Sequence, residues 1–160
     1  SRVYNGGRQV VYTATVGAML ANNIAVPAYG ATYSGIEVTG GITSTVSAGD
    51  IWIDTNLSGL TTSERAKLLV SGNTVSTTVN MNGEEIIYSG GIAQSTMINS
   101  GGYLNLMSGG QASGIIQNSG GIINVTVIGM DNQTYLSGTH ENGGFSLENG
   151  VANNFILNNL

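Results

Sequence analysis

Apolar and polar residues alternate in short runs along this chain, and glycine, asparagine or serine closes most of the runs. Thr96 and Ile98 lie two apart, as do Leu104 and Leu106, so each pair points to one side of an extended strand. Asn99-Ser100-Gly101-Gly102 separates the pairs and Ser108-Gly109 follows the second, both of which are turn signals. The pattern predicts two short strands and two turns in this stretch.

The same pattern returns at a fixed distance, the mark of a repeat architecture. Gly72–Gly90 and Gly91–Gly109 are 19 residues each (90 − 71 and 109 − 90) and share Gly, Ser-Thr, Asn, Gly and Ser-Gly in register. A third unit begins at Gly110 and keeps Asn118-Ser119-Gly120-Gly121. Gly41–Gly59 has the same length, with Thr45-Val46 near its first strand and Ile51-Trp52-Ile53 as its second, and its internal spacing slips by about two residues. Val3 to Val11 matches the second half of a unit and Val151 to Asn159 the first half of one, so the chain reads as a fragment that starts and stops in mid-repeat.

One such unit cannot bury its apolar side alone, whereas stacking aligns Val79 with Ile98, and Ile87 with Leu106 and Val125, into internal ladders. The predicted fold is therefore all-β: a right-handed single-stranded parallel β-helix, or β-solenoid, of about 19 residues per coil, with residues 1–160 forming one unit. At a strand spacing of roughly 4.8 Å, about eight coils make a rod on the order of 40 Å long. Corner glycines are expected where φ is positive, and Asn80, Asn99 and Asn118 are expected to stack as a side-chain ladder. Two places depart from the pattern. Residues 60–71 read as an irregular or short helical insertion, because Thr61 and Glu64 have capping-box spacing, or else as a degenerate coil. Glu85 shares the alternation phase of Ile87 and puts a carboxylate where Leu104 and Ile123 sit in later coils.

Composition narrows the functional classes. Gly at 25 residues, one Pro (Pro27) and 8% charged residues do not suit a helical bundle, and 41% hydrophobic content does not suit disorder. Four Lys and Arg against nine Asp and Glu leave no basic stripe, so nucleic acid is not an expected partner. The absence of Cys removes disulfides and thiolate metal sites and fits an exported protein. No apolar run approaches the roughly 20 residues that span a bilayer as a helix.

From Gly83 to Gly121 the residues repeat as Gly-Gly-x-x-x-Val/Leu-x-Ser-Gly-Gly-x-Ala-x-x-Thr-x-Ile/Val-Asn-x-Gly-Gly. This resembles the passenger repeats of AIDA-type self-associating autotransporter adhesins. Val127-Ile128-Gly129 followed by Gly144 to Ala152 is similar to a non-canonical coil of that group. The resemblance covers about residues 72–160 and is faintest over 12–40. It implies export, passage through a C-terminal β-barrel outside this sequence, and display on the bacterial surface or secretion. It further implies homotypic association between passengers on neighbouring cells, aggregation and biofilm formation, or attachment to a host receptor or glycan, with a part in virulence. Some members are heptosylated on serine, which by position makes Ser89 and Ser108, each opening a Ser-Gly-Gly, acceptor candidates.

Other chemistries were weighed on the residues. Alternation is expected to place Ile51 and Ile53 inside and Asp50, Trp52 and Asp54 outside, as a ligand or self-association contact, with a Trp covering a coil edge as the plainer reading. Two carboxylates four strand residues apart stand about 13 Å from each other, beyond the roughly 5–9.5 Å of glycosidase pairs, so no catalytic pair is assigned. His140 with Glu141 and Asp131 lacks ligand spacing and reads as a solvated loop. Ser100-Gly101-Gly102 lacks the Lys and helix of a phosphate cradle, and the Asn56, Asn124 and Asn132 sequons are expected by chance. No catalytic residue, cofactor or metal is expected. The competing function is a carbohydrate-binding or carbohydrate-cleaving β-helix of the tailspike or lyase kind, and a third reading is a passive spacer.

Overall fold

The computed structural model describes residues 30–128 and 133–155 in full and, ahead of them, the backbone of four strands. Twenty strands follow one another, with no helix among the described residues: β1 (Arg2–Asn5), β2 (Arg8–Ala14), β3 (Met19–Ala21), β4 (Ile24–Val26), β5 (Thr32–Thr39), β6 (Thr43–Val46), β7 (Ile51–Ile53), β8 (Asn56–Ser58), β9 (Ala66–Val70), β10 (Asn73–Val75), β11 (Thr78–Val79), β12 (Gly83–Ile87), β13 (Ile92–Gln94), β14 (Met97–Ile98), β15 (Tyr103–Leu106), β16 (Gln111–Gln117), β17 (Ile122–Val125), β18 (Tyr135–His140), β19 (Gly143–Glu148) and β20 (Val151–Asn153). Parallel coils stack into a β-solenoid of about 5 turns at a spacing of about 19 residues.

Each turn holds three strand segments, one more than the sequence pattern suggests. In the best-formed coil they are β13, β14 and β15. The first two lie in one 13-stranded sheet and the third in a 5-stranded sheet ordered β17-β15-β12-β9-β6. A single left-handed residue kinks the chain between the first two: Gly35, Asp54, Ser76, Ser95 and Gly114, with φ of 64°, 54°, 59°, 58° and 64°. Three of the five are not glycine, so the sequence carries no turn signal there. Backbone bonds cross the kink without a break, as in Ser76 N to Gln94 O and Met97 N to Thr77 O, each 2.9 Å or shorter.

The internal rows follow the expected register. Val79 pairs with Ile98, and Ile87 with Leu106 and then Val125. Val79, Ile98, Ile87 and Leu106 are fully buried, while Val125, in the last strand of its sheet, is half-buried. The Gly-Gly corners divide their work. Gly101 takes φ of 74°, and a Cβ on Gly102 would stand 2.5 Å from the carbonyl oxygen of Val79 in the coil before. The second glycine is thus demanded by contact between coils and not by its own backbone angle.

The asparagine ladder forms: Asn118 Nδ2 donates to Asn99 Oδ1 at 2.7 Å, Asn99 to Asn80 Oδ1 at 2.8 Å, and Asn80 to Ser58 Oγ at 3.2 Å. A second ladder on another face runs from Asn124 to Asn105 at 2.8 Å and from Asn105 to the Glu84 carboxylate.

Residues 60–71 contain no helix. Thr61 Oγ1 does accept the Glu64 N–H at 3.1 Å, but the turn ends there, and Ala66–Val70 is β9, paired with β6 and β12. Ala66, Leu68 and Val70 alternate inward with half-buried Lys67 and Leu69, so the period of two wins over the helical one. The ends also differ from expectation. Val3–Asn5 of β1 and Arg8–Val11 of β2 pair antiparallel, and β2 lies antiparallel on β5. At the other end β18 stacks parallel on β16, but β19 and β20 return antiparallel, so Val151 to Asn153 closes a meander and does not start another parallel coil. Among the described residues about five turns therefore stand where the spacing suggests about eight. Residues 156–159, the rest of that expected half-repeat, lie outside the described residues.

Asn99 both donates to and accepts from neighbouring rungs, whereas Asn118 occupies the ladder's end. Asn99→Ala is expected to lower unfolding free energy by about 1–3 kcal/mol in urea titrations, because it strands partners at a part-buried corner. Asn118→Ala should cost clearly less, and equal costs would mean that the ladder is not a structural unit.

Candidate functional site

The solenoid presents its chemistry as long faces. On the first arm the outward positions run Thr32, Ile51, Asn73, Ile92, Gln111, Tyr135 in one column, and Ser34, Ile53, Val75, Gln94, Ser113 in the next. None of these side chains is charged, and all are exposed or half-buried. The outer face of the 5-stranded sheet is different. Lys67 Nζ and Arg65 NH1 each lie 3.6 Å from Glu84, and the Arg65 guanidinium sits 3.9 Å over the Tyr103 ring. Lys67 and Glu84 pair in register 17 residues apart (84 − 67), off the 19-residue repeat. That offset is why a search at the repeat spacing misses the cluster.

The segment Asp50 to Asp54 has the opposite phase to that expected from its alternation. Ile51 and Ile53 face outward and are half-buried, Trp52 and Asp50 are buried, and of the expected surface trio only Asp54 is exposed. Trp52 occupies the row Tyr33, Trp52, Thr74, Ala93, Ala112, in which small residues above it make room for the indole. It packs on Tyr33 with ring centroids 5.5 Å apart and planes tilted by 52°. Asp50 Oδ1 accepts the Ala31 N–H at 2.9 Å and ties two turns together at a corner. Asp54 takes φ of 54° because it is the kink residue. The phase is reversed because the first arm begins directly after Asp50, a boundary the sequence does not mark. A carbohydrate platform built on an exposed Trp52 is thereby removed.

Ser89 is exposed at a corner, and Ser108 is half-buried one coil on, where the backbone of Ile128 approaches its Oγ at 3.5 Å. A Cβ on Gly109 would stand 2.5 Å from Ser89 Oγ, so this glycine keeps the space above the hydroxyl clear. His140 is in a strand and not in a loop. Its ring stacks on Phe145 at 5.5 Å with planes 8° apart, and Nδ1 accepts the Asn142 N–H at 3.0 Å. Glu141 is exposed in the adjoining turn, and Asp131 lies outside the described residues. Among the described residues no group of three His, Cys, Asp or Glu is placed to hold a metal.

Among the described residues Glu85 is the one carboxylate buried in the core rows. It pairs with Leu68 and Leu104, and across the interior Thr74 and Thr96 each donate a hydroxyl to it at 2.9 Å. Burial pushes its pKa above the ordinary carboxylate range, and the hydrogen bonds from Thr96 and Thr74 pull only part of the way back. The nearest described cations, Arg65 and Lys67, pair with Glu84 and not with Glu85.

No protein-family model and no curated protein matches the chain. Among solved structures it is similar to a TibC-catalysed hyper-glycosylated TibA55-350 fragment, with 26% identity and a TM-score of 0.50. The likeness covers 62% of this chain and 42% of that one, so the chain spans less than half of that fragment's length. Together with the stacked coils it supports an autotransporter-adhesin-like passenger segment.

The raised pKa of Glu85 sets a direction for stability. An acid whose pKa is higher folded than unfolded contributes stability that is fully present below the unfolded pKa and is lost as pH rises through the folded one. Urea midpoints should therefore fall as pH rises above the ordinary carboxylate range. Glu85→Gln, which keeps a hydrogen-bonding partner for both threonines, should flatten that slope and raise the midpoint at the upper end. An unchanged slope in the variant would show that Glu85 is not its source.

Proposed function

We propose that this chain is part of an AIDA-type passenger, carried on the bacterial surface or secreted, whose solenoid associates with identical passengers on neighbouring cells. Aggregation, biofilm formation and attachment to host surfaces follow from that role. The observation that carries the reading is the uncharged outer face of the first arm, continuous from Thr32 to Tyr135. With a net charge of −5, copies repel one another in general, and an uncharged face lets two rods approach. Each hydrogen bond or apolar contact along it is weak, but repetition along a rigid rod, and over many rods per cell, adds them. The likeness to the TibA fragment supports the adhesin-like part of this reading.

That relative is hyper-glycosylated by TibC, and here the exposed corner serine Ser89 offers a hydroxyl acceptor, with half-buried Ser108 a lesser one. Intact mass after co-expression with a transferase of the TibC kind should show added sugar that Ser89→Ala reduces. An unchanged mass in that variant would remove the assignment.

Association is tested on cells displaying the full passenger. Asn73→Glu with Gln94→Glu, both outward on strands whose inner residues are untouched, should reduce clumping severalfold by placing like charges on the contact face. Undiminished clumping with normal display would exclude this face and favour a host receptor or a passive spacer.

A further inference from the structure

The coil made of β10, β11 and β12 has a polar patch inside it. Its inward residues include Thr74, Thr77 and Glu85, all buried, in rows that the next coil continues with Ala93, Thr96 and Leu104. The Glu85 carboxylate faces a block of four positions on the opposite wall. Thr74 and Ala93 form one row of the block, and Thr77 and Thr96, each just ahead of the paired Thr78 and Met97, form the other. Three of the four carry hydroxyls, and the fourth, Ala93, is short.

Two of the hydroxyls bond the acid, Thr74 to Oε1 and Thr96 to Oε2, each at 2.9 Å. The third does not. Thr77 is 1% exposed and faces the same carboxylate, yet its Oγ1 is buried with no hydrogen-bond partner. Thr55 Oγ1, one coil below in the same row, is buried and unpartnered as well. A buried hydroxyl in a folded chain is rarely left without a partner, so these atoms mark a place for a small polar species.

Charge narrows what that species is. An ionised carboxyl inside an apolar column is strongly disfavoured until a proton or a cation neutralises it. The described cations on the neighbouring strand, Arg65 and Lys67, turn to Glu84 on the outer side of the sheet. What faces inward is a set of oxygens with one negative charge, the donor type that hard cations take. A hydroxyl that donates to the carboxylate keeps its oxygen lone pairs for an ion, so Thr74 and Thr96 serve both. One carboxylate matches a single positive charge, and a close-packed interior favours a small ion.

We infer that the Glu85 carboxylate and the hydroxyl oxygens of Thr74, Thr77 and Thr96 form a buried site for one sodium ion, taken up as the coils close over it. The ion neutralises Glu85, gives Thr77 its partner, and ties this coil to the one above. The site is separate from the surface association proposed above, and either can fail alone. An ion held only by the folded chain stabilises it by mass action. The test is urea unfolding at alkaline pH, where protons do not compete, in sodium chloride and in tetramethylammonium chloride of equal ionic strength. Tetramethylammonium is too large to enter, so the midpoint should be higher in sodium and should climb with its concentration. Glu85→Gln should abolish the difference between the salts, and Thr77→Val, which keeps the shape and removes the oxygen, should shrink it. Should Glu85→Gln fail to fold, Thr77→Val decides alone, since the lost hydroxyl makes no hydrogen bond within the chain. Equal midpoints in the two salts, or a difference that either variant keeps in full, overturns the inference.

Discussion

Vertical pairing governs this molecule: strand residues of a coil lie in register with their equivalents in the coils before and after, so a side chain answers first to those above and beneath it. A row succeeds when its members fit as a column. Trp52 is accommodated because Thr74, Ala93 and Ala112 continue its row, and Gly91, Gly102 and Gly121, each second in its Gly-Gly corner, are required because a carbonyl of the previous coil occupies the space of the Cβ. The same constraint turns one good asparagine contact into a ladder, since Asn80, Asn99 and Asn118 repeat it at the same height in successive turns. Glu85 shows its cost. A carboxylate in an apolar column survives with threonine hydroxyls from the opposite wall, and its proton affinity rises as a result.

A column that fixes the interior leaves the exterior free to vary, and the three arms differ accordingly. One carries uncharged amides, hydroxyls and aliphatics, while another gathers Arg65, Lys67, Glu84 and Tyr103. Neither arrangement resembles a cleft in which a substrate would be surrounded. What a solenoid of this kind supplies is repeated shallow chemistry at the strand spacing, suited to partners that are themselves long and repetitive. Rigidity in the row pattern makes that surface a fixed array, so that many weak contacts act together.

How much of this was legible in the sequence depended on whether the backbone left a residue-type signature. The repeat, the internal rows from Val79 to Ile98 and from Ile87 to Val125, and the asparagine ladder were readable because glycine pairs and alternation mark the second and third arms. The first arm was hidden because its kink falls on Asp54, Ser76 and Ser95 as readily as on glycine. That hidden boundary reversed the phase assigned to Trp52 and emptied the expected surface site. Ala66–Val70 satisfies both a helical and a strand period over five residues, and only pairing with β6 and β12 decides between them. The antiparallel ends were illegible because their strands share composition with the coils and differ only in direction.

The stacked register sets which side of every strand faces in, and Trp52, the single tryptophan, reports on it directly. Its fluorescence emission and quenching by iodide should be measured in the folded chain and again in urea. The register predicts blue-shifted emission that iodide barely quenches until the chain unfolds. Emission at the wavelength of indole in water, quenched as freely before unfolding as after it, would contradict the inward phase and the stacking from which it follows.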